Sequence, residues 1–236
     1  MTMRLNRQTI LTLAILLSSP FPILAQKSTP FFPAGGATQV KDNDRFVAWD
    51  VTWGKGKSTG MRKLDMDQVS VTLTEGAIKI TRADGTWSIE QNRIGSVRFE
   101  SKGTSVEQEG VSDPPRREMV FQLKDFVPAP WPTREGIPGQ FPRINTTKLL
   151  ETDRITVWDQ VWKPGERVVL HSHYHRTATV FLGAGMLRAT PENGIPNRPF
   201  ARSVGEVLAN TTFSPDAHEE EYVSGAPRAI WIEFTK

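Results

Sequence analysis

This 236-residue chain has four histidines, and three of them stand together. RVVLHSHYHRTATVFLGAG (167–185) carries His171, His173 and His175; the fourth, His218, lies in SPDAHEEEY (214–222). The first 170 residues contain none. Neutral imidazole binds Zn, Cu, Fe and Ni well. In a strand, residues i and i+2 point the same way, so His171 and His173 are expected to face one side together. His218, brought in from a distant strand, is the expected third ligand. Three imidazoles with positions left open describe a catalytic type of metal site rather than a sealed structural one. His175 has two readings. If the strand continues, it shares the face of His171 and His173. If the strand ends at Tyr174, it sits at the mouth as an acid/base or outer group.

Strands must hold these rings, and the chain beyond its first 26 residues is rich in β-formers and turns. VSVTLTEGAIKIT (69–81), VWDQVW (157–162), TVFLG (179–183) and AIWIEF (229–234) are short runs bounded by turn residues. Asp84-Gly85 in TRADGTW (81–87) marks a hairpin. No long window of helical period follows the leader. VPAPWPTREGIPGQFP (127–142) carries five prolines and two glycines, which excludes a central strand and reads as a linker. The halves on either side repeat. Residues 45–81 lie over 154–190 without a gap, at an offset of 109. Trp49 meets Trp158, Trp53 meets Trp162, Gly56 meets Gly165 and Gly76 meets Gly185. The histidines occur in one copy only, because His171, His173 and His175 fall on Arg62, Leu64 and Met66. EQEGVSDPPRRE (107–118) reads as a solvated loop, with Glu107 and Glu109 matching His218 and Glu220 if the offset widens to 111.

Gly165, His171, His173 and Gly185 fall in the frame G-x5-H-x-H-x4-E-x6-G, so this stretch resembles the first motif of the cupin superfamily. The second motif is matched in outline by Gly205, Pro215 and His218. The resemblance implies an all-β fold of two tandem cupin-type antiparallel β-barrels (jelly rolls), a bicupin with a degenerate first barrel. The expected divisions are 26–127 for that barrel, 128–148 for the linker and 149–236 for the metal-binding barrel. It also implies one divalent transition metal on His171, His173 and His218, with Fe, Mn, Zn, Ni and Cu not told apart. The motif's glutamate falls on Ala178, so that ligand is absent. His175, or one of Glu219, Glu220 and Glu221, is left open as its replacement. A site of histidines alone keeps the ion's full charge and favours an anionic ligand.

With no cysteine, stability must come from a core, which 38% hydrophobic residues can supply. A net charge of +3, with like charges dispersed, argues against a nucleic-acid partner. Arg4, Arg7, the apolar run ILTLAILL (10–17) and Ala25 lay out a secretory signal peptide over 1–25. The expected location is therefore periplasmic or secreted, with no membrane attachment after cleavage. The expected partner is a small-molecule ligand or substrate. Monomer and homodimer both fit, since two linked barrels mimic the dimer that single barrels form. The leading functional reading is metal-assisted oxidation of a small organic molecule, a dioxygenase reaction by family analogy. Its rivals are a non-catalytic binder of a small ligand or metal, and isomerase or lyase chemistry in which the ion polarises a carbonyl.

Overall fold

The computed structural model describes residues 31–34, 36–125, 131–210 and 216–235. The leader read over 1–25 and Pro215 lie outside them. Every regular element among the described residues is a β-strand. None of them is a helix long and apolar enough to cross a membrane. The first half contains β1 (Ala37–Asp42), β2 (Phe46–Trp53), β3 (Arg62–Lys63), β4 (Asp67–Thr74), β5 (Gly76–Arg82), β6 (Trp87–Asn92), β7 (Val97–Glu100), β8 (Ser105–Gly110) and β9 (Arg116–Leu123). The second contains β10 (Thr146–Glu151), β11 (Ile155–Val161), β12 (Arg167–His171), β13 (Arg176–Pro191), β14 (Phe200–Arg202), β15 (Val207–Asn210) and β16 (His218–Phe234).

In the first half two antiparallel layers run β1-β2-β9-β4-β7 and β3-β8-β5-β6. The second half builds the same two layers from longer strands, since β13 spans the places of β4 and β5, and β16 those of β8 and β9. Each half is a jelly-roll barrel. The duplication is visible in the ladders. Ala37 pairs with Val51 as Thr146 pairs with Gln160, and the first strand of each half is bulged at the same place. The repeat extends upstream of residue 45, where Phe32 stacks on Trp49 at 5.4 Å and Phe141 on Trp158 at 5.2 Å. The motif glycines are explained by backbone geometry. Gly56 and Gly165 turn at φ of +73° and +76°, which side chains rarely adopt. A Cβ on Gly76 would meet Arg116 at 2.8 Å, and one on Gly185 would meet Pro227 at 2.6 Å.

Strand alternation divides the apolar side chains into three cores. Trp53, Ile78, Ile80 and Val106 fill the first barrel, while Trp162, Val168, Phe181 and Trp231 line the second. The opposite faces of β2, β4 and β9 pack on those of β11, β13 and β16. Phe46, Val71 and Phe121 there meet Val157, Val180 and Phe234 in one shared core.

Two expectations change. Residues 107–118 are not a solvated loop: β8 ends and β9 begins inside them, with Arg116 and Glu118 fully buried. The matching offset there is 112, because Arg62 pairs with Val106 as His171 does with His218, and Ile80 with Gln108 as Ala189 does with Glu220. Val106 and Gln108, not Glu107 and Glu109, hold the places of His218 and Glu220. A one-residue slip exchanges the faces of a strand, so the glutamates fall on the other side.

Phe46 contacts both Phe121 and, across the interface, Phe234. Phe46→Ala should cost about 3–5 kcal/mol in urea denaturation. The unsubstituted chain should unfold in a single transition seen by both fluorescence and circular dichroism. Two separated transitions would show that the halves do not share a core.

Candidate metal centre

β12 lies antiparallel to the first part of β16, and the pairing is irregular. Arg167 and Val168 face Glu221 and Glu220, but His171 faces His218, so β12 carries one extra residue between these pairs. That bulge shifts the alternation. Val168 is buried, Val169 is 64% exposed, and His171 is buried again at 1%. Without the extra residue, His171 would fall on the outer face.

β12 ends at His171 and β13 begins at Arg176, so the chain turns between them. The proline-rich stretch holds this turn. Ser172 N–H donates to the Pro138 carbonyl at 3.0 Å. The Tyr174 hydroxyl accepts from Arg134 N–H at 3.0 Å and donates to the Ile137 carbonyl at 2.8 Å. His173 still faces the cavity, whereas His175 is exposed. The strand does not continue to His175, and His175 is not among the residues that line the cavity. It lies near Glu233, a carboxyl that burial pushes up against the pull of His175 and the Trp158 N–H.

The rings of His171, His173 and His218 converge, with centroids 5.4, 4.7 and 5.2 Å apart. Glu220 joins them, and one donor atom from each of the four residues lies within 4.8 Å of every other. Such a group could hold a metal ion. The pleat decides which of the three glutamates takes part. Glu220 is two residues from His218 and shares its face. Glu219 and Glu221 point the other way, pairing with Arg167 at 2.9 and 3.3 Å. Ala178, the motif's glutamate position, is buried in the core between the barrels and has no access to the site. Its inward neighbour is Thr177.

A residue that sequence reasoning missed completes the cluster. Arg143, 4% exposed, donates through Nη1 to His171 Nε2 at 3.0 Å and through Nε to Gln160 at 2.8 Å, and its Nη2 stands 3.4 Å from Glu220. It lies against the rings of Phe141, Trp162 and Trp231. The Trp162 indole donates to Glu220 at 2.9 Å. The missing signal was the overlay carried upstream: Phe141-Pro142 matches Phe32-Pro33. The stretch around Arg143 therefore belongs to the repeat as well as to the connection.

Burial dominates the protonation of this cluster. It brings His171 down to about 4 and His173 to about 3, with neighbouring positive charge adding to the effect. Burial alone would raise the Glu220 carboxyl, but Arg143 and the His218 hydrogen bond outweigh it and hold the group well below the usual range. The donor set fits a divalent cation: the neutral rings of His171 and His173, the ring of His218 and one ionised carboxylate. His173 Nδ1 is buried with no hydrogen-bond partner. His171 Nδ1 donates to the Val169 carbonyl at 2.9 Å, which leaves the Nε2 lone pair facing inward.

Among the described residues the first barrel brings no such group of metal donors together. Arg62, Leu64, Val106 and Gln108 stand where His171, His173, His218 and Glu220 do, and Leu64 and Val106 belong to its apolar core. Beside the four-residue cluster of the second barrel lies a cavity of about 420 Å³, lined by Trp162, Phe181, Phe200 and Trp231 among others.

No family model matches the chain, and no curated protein does. Solved structures share its architecture. AerE from Microcystis aeruginosa is 10% identical with a TM-score of 0.59, over 85% of this chain and 92% of that one. A Bacillus subtilis oxalate decarboxylase with Mn(II) centres is 13% identical with a TM-score of 0.56, over 85% and 72%. A cupin 2 conserved barrel domain protein from Leptotrichia buccalis is 11% identical with a TM-score of 0.52, over 84% and 88%. The fold is that of cupin-domain proteins.

The two depressed imidazoles make stability depend on pH. Both are neutral in the folded chain, and both take up protons in the unfolded chain below about 6.5. Their contribution is fully present above pH 6.5. It is lost as the pH falls towards 4 for His171 and 3 for His173. Metal-free protein should lose on the order of a few kcal/mol across this window in urea titrations. His173→Asn should make the loss shallower. A stability unchanged from pH 7 to 4 would contradict neutral burial of these rings.

Proposed function

We propose that the chain is an exported two-domain cupin whose second barrel holds one divalent transition metal on His171, His173 and His218, with Glu220 as its carboxylate. The observation that carries this reading is the convergence of four donor atoms within 4.8 Å of one another beside a cavity. The Mn(II) centres of the oxalate decarboxylase that shares the fold support it by analogy. The leader over 1–25 supports export.

The chemistry we assign is oxidation of a small organic molecule, in the manner of a dioxygenase. When bound, the ion would supply Lewis acidity and open positions for ligands. The chain's own part is definite. The aromatic walls of the cavity would pack against the reacting molecule. Arg143 keeps Glu220 ionised and in place. To His175, exposed and near Glu233, we assign proton exchange with solvent.

One observation favours a second reading. Arg143 donates to the same His171 lone pair that an ion would need. A chain that keeps that hydrogen bond would be a non-catalytic binder of a small ligand.

Chelator-stripped protein should take up one ion per chain when Mn, Fe, Co, Ni, Cu and Zn salts are titrated calorimetrically. His173→Ala and His218→Ala should abolish uptake with the β-sheet spectrum unchanged. Glu220→Gln should weaken affinity by roughly 10–100-fold. Metal content in His173→Ala equal to that of the unsubstituted chain would end the metal reading. No uptake by the stripped protein would favour the ligand binder.

A further inference from the structure

We propose that the wall of the cavity that carries Trp231, Thr177, Arg202 and Lys41 is an anion subsite, built for the carboxylate of a small organic acid with a flat apolar body. This deepens the reading above, because the ligand would share a cavity with the candidate ion. It stands on different residues.

Three lining groups lack partners. Trp231 is 8% exposed, and its indole N–H, which can only donate, has no acceptor. Thr177 is 1% exposed and its hydroxyl is also unpaired. Arg202 Nε is buried without a partner, although Nη1 donates to Glu206 at 2.9 Å. The Arg202 guanidinium is held over the rings of Phe181 and Phe200, with its carbon 5.3 and 4.5 Å from their centroids. Buried donors left unmet cost free energy, so this wall calls for a ligand that presents acceptors. The walls of Trp162, Phe181, Phe200 and Trp231 suit a planar hydrocarbon body.

The fourth group comes from the first half. Lys41 lines this cavity and makes no ion pair among the described residues. It follows the bulge in β1 and pairs with Ala48, whose side chain is in the core between the barrels, so Lys41 shares the face turned to the second barrel. At the matching place in β10 stands Leu150, packed on that core. Lysine takes the place of leucine on the side of this cavity. The same asymmetry recurs at Trp231, whose counterpart opposite Trp49 is Val120. Among the described lining residues Glu220 is the only carboxylate, and it stands 3.4 Å from Arg143. With Arg202 balanced by Glu206, Lys41 leaves an excess of positive charge.

Calorimetry with benzoate and the isosteric neutral benzamide tests this. Chelator-stripped protein should bind benzoate at least about tenfold tighter than benzamide. Trp231→Phe, which removes the N–H and part of the ring, should weaken benzoate by roughly tenfold and benzamide by less, and Arg202→Gln should weaken benzoate by roughly tenfold. Lys41→Leu, which installs the residue of the matching position, should weaken it by about threefold. Circular dichroism confirms folding of each variant. Equal affinities for the two probes, no binding, or variants that bind as the unsubstituted chain does would overturn the subsite. Benzoate binding seen only with Mn(II) would also overturn it, showing that the ion alone recognises the anion. Benzoate selectivity in a protein that takes up no metal would support the subsite while removing the metal reading.

Discussion

His171 lies opposite His218 in the ladder between β12 and β16, and the rest of the site depends on that pairing. The pairing exists because β12 carries one extra residue after Val168. A strand has a period of two, so a single inserted residue exchanges its faces. Here it turns His171 inward, two residues after the exposed Val169. His173 then follows onto the same side, and Glu220 comes from β16 on the face of His218. One backbone irregularity sets four donor groups around a point.

Burying that many polar groups carries a cost, and their neighbours offset it. Desolvation keeps His171 and His173 neutral, which is the form that ligates a metal. The same desolvation would neutralise Glu220, and Arg143 prevents it. Arg143 in turn is held by Gln160 and by three aromatic rings. The cluster therefore combines neutral imidazoles with an ionised carboxylate in a site largely closed to water. The guanidinium that stabilises the carboxylate also occupies the His171 lone pair, so the pair tunes the site as well as supporting it.

The first barrel shows what the fold needs without such a site. It keeps the glycines, the paired tryptophans and the bulged first strand. Its interior closes over Leu64, Val106 and the side chains of Phe31 and Phe32. Trp53 still finds a buried carboxylate, but from Glu118 on another strand, where Trp162 uses Glu220. The two barrels share one apolar core across their facing sheets, so the closed barrel supports the open one. It also lends Lys41 to the other barrel's cavity.

The β class, the duplication and the histidine set were legible in the sequence because they rest on local rules. Alternation, turn residues and matched spacing at an offset of 109 need no knowledge of which strands pair. The choice among Glu219, Glu220 and Glu221 stayed open in the sequence, and the cluster with His218 on β16 picks out Glu220. What could not be read was whatever depends on register between distant strands. The bulge in β12, the inward Thr177 beside an outward Ala178, and the widening of the offset to 112 at β8 are all consequences of pairing. Arg143 was hidden for the same reason: a proline-rich stretch says that no central strand runs there, but not which barrel it lies against. Residue types and their periods determined which groups could do chemistry. Tertiary structure alone decided which of them share one enclosed space, because only strand pairing sets distance between groups far apart in the chain.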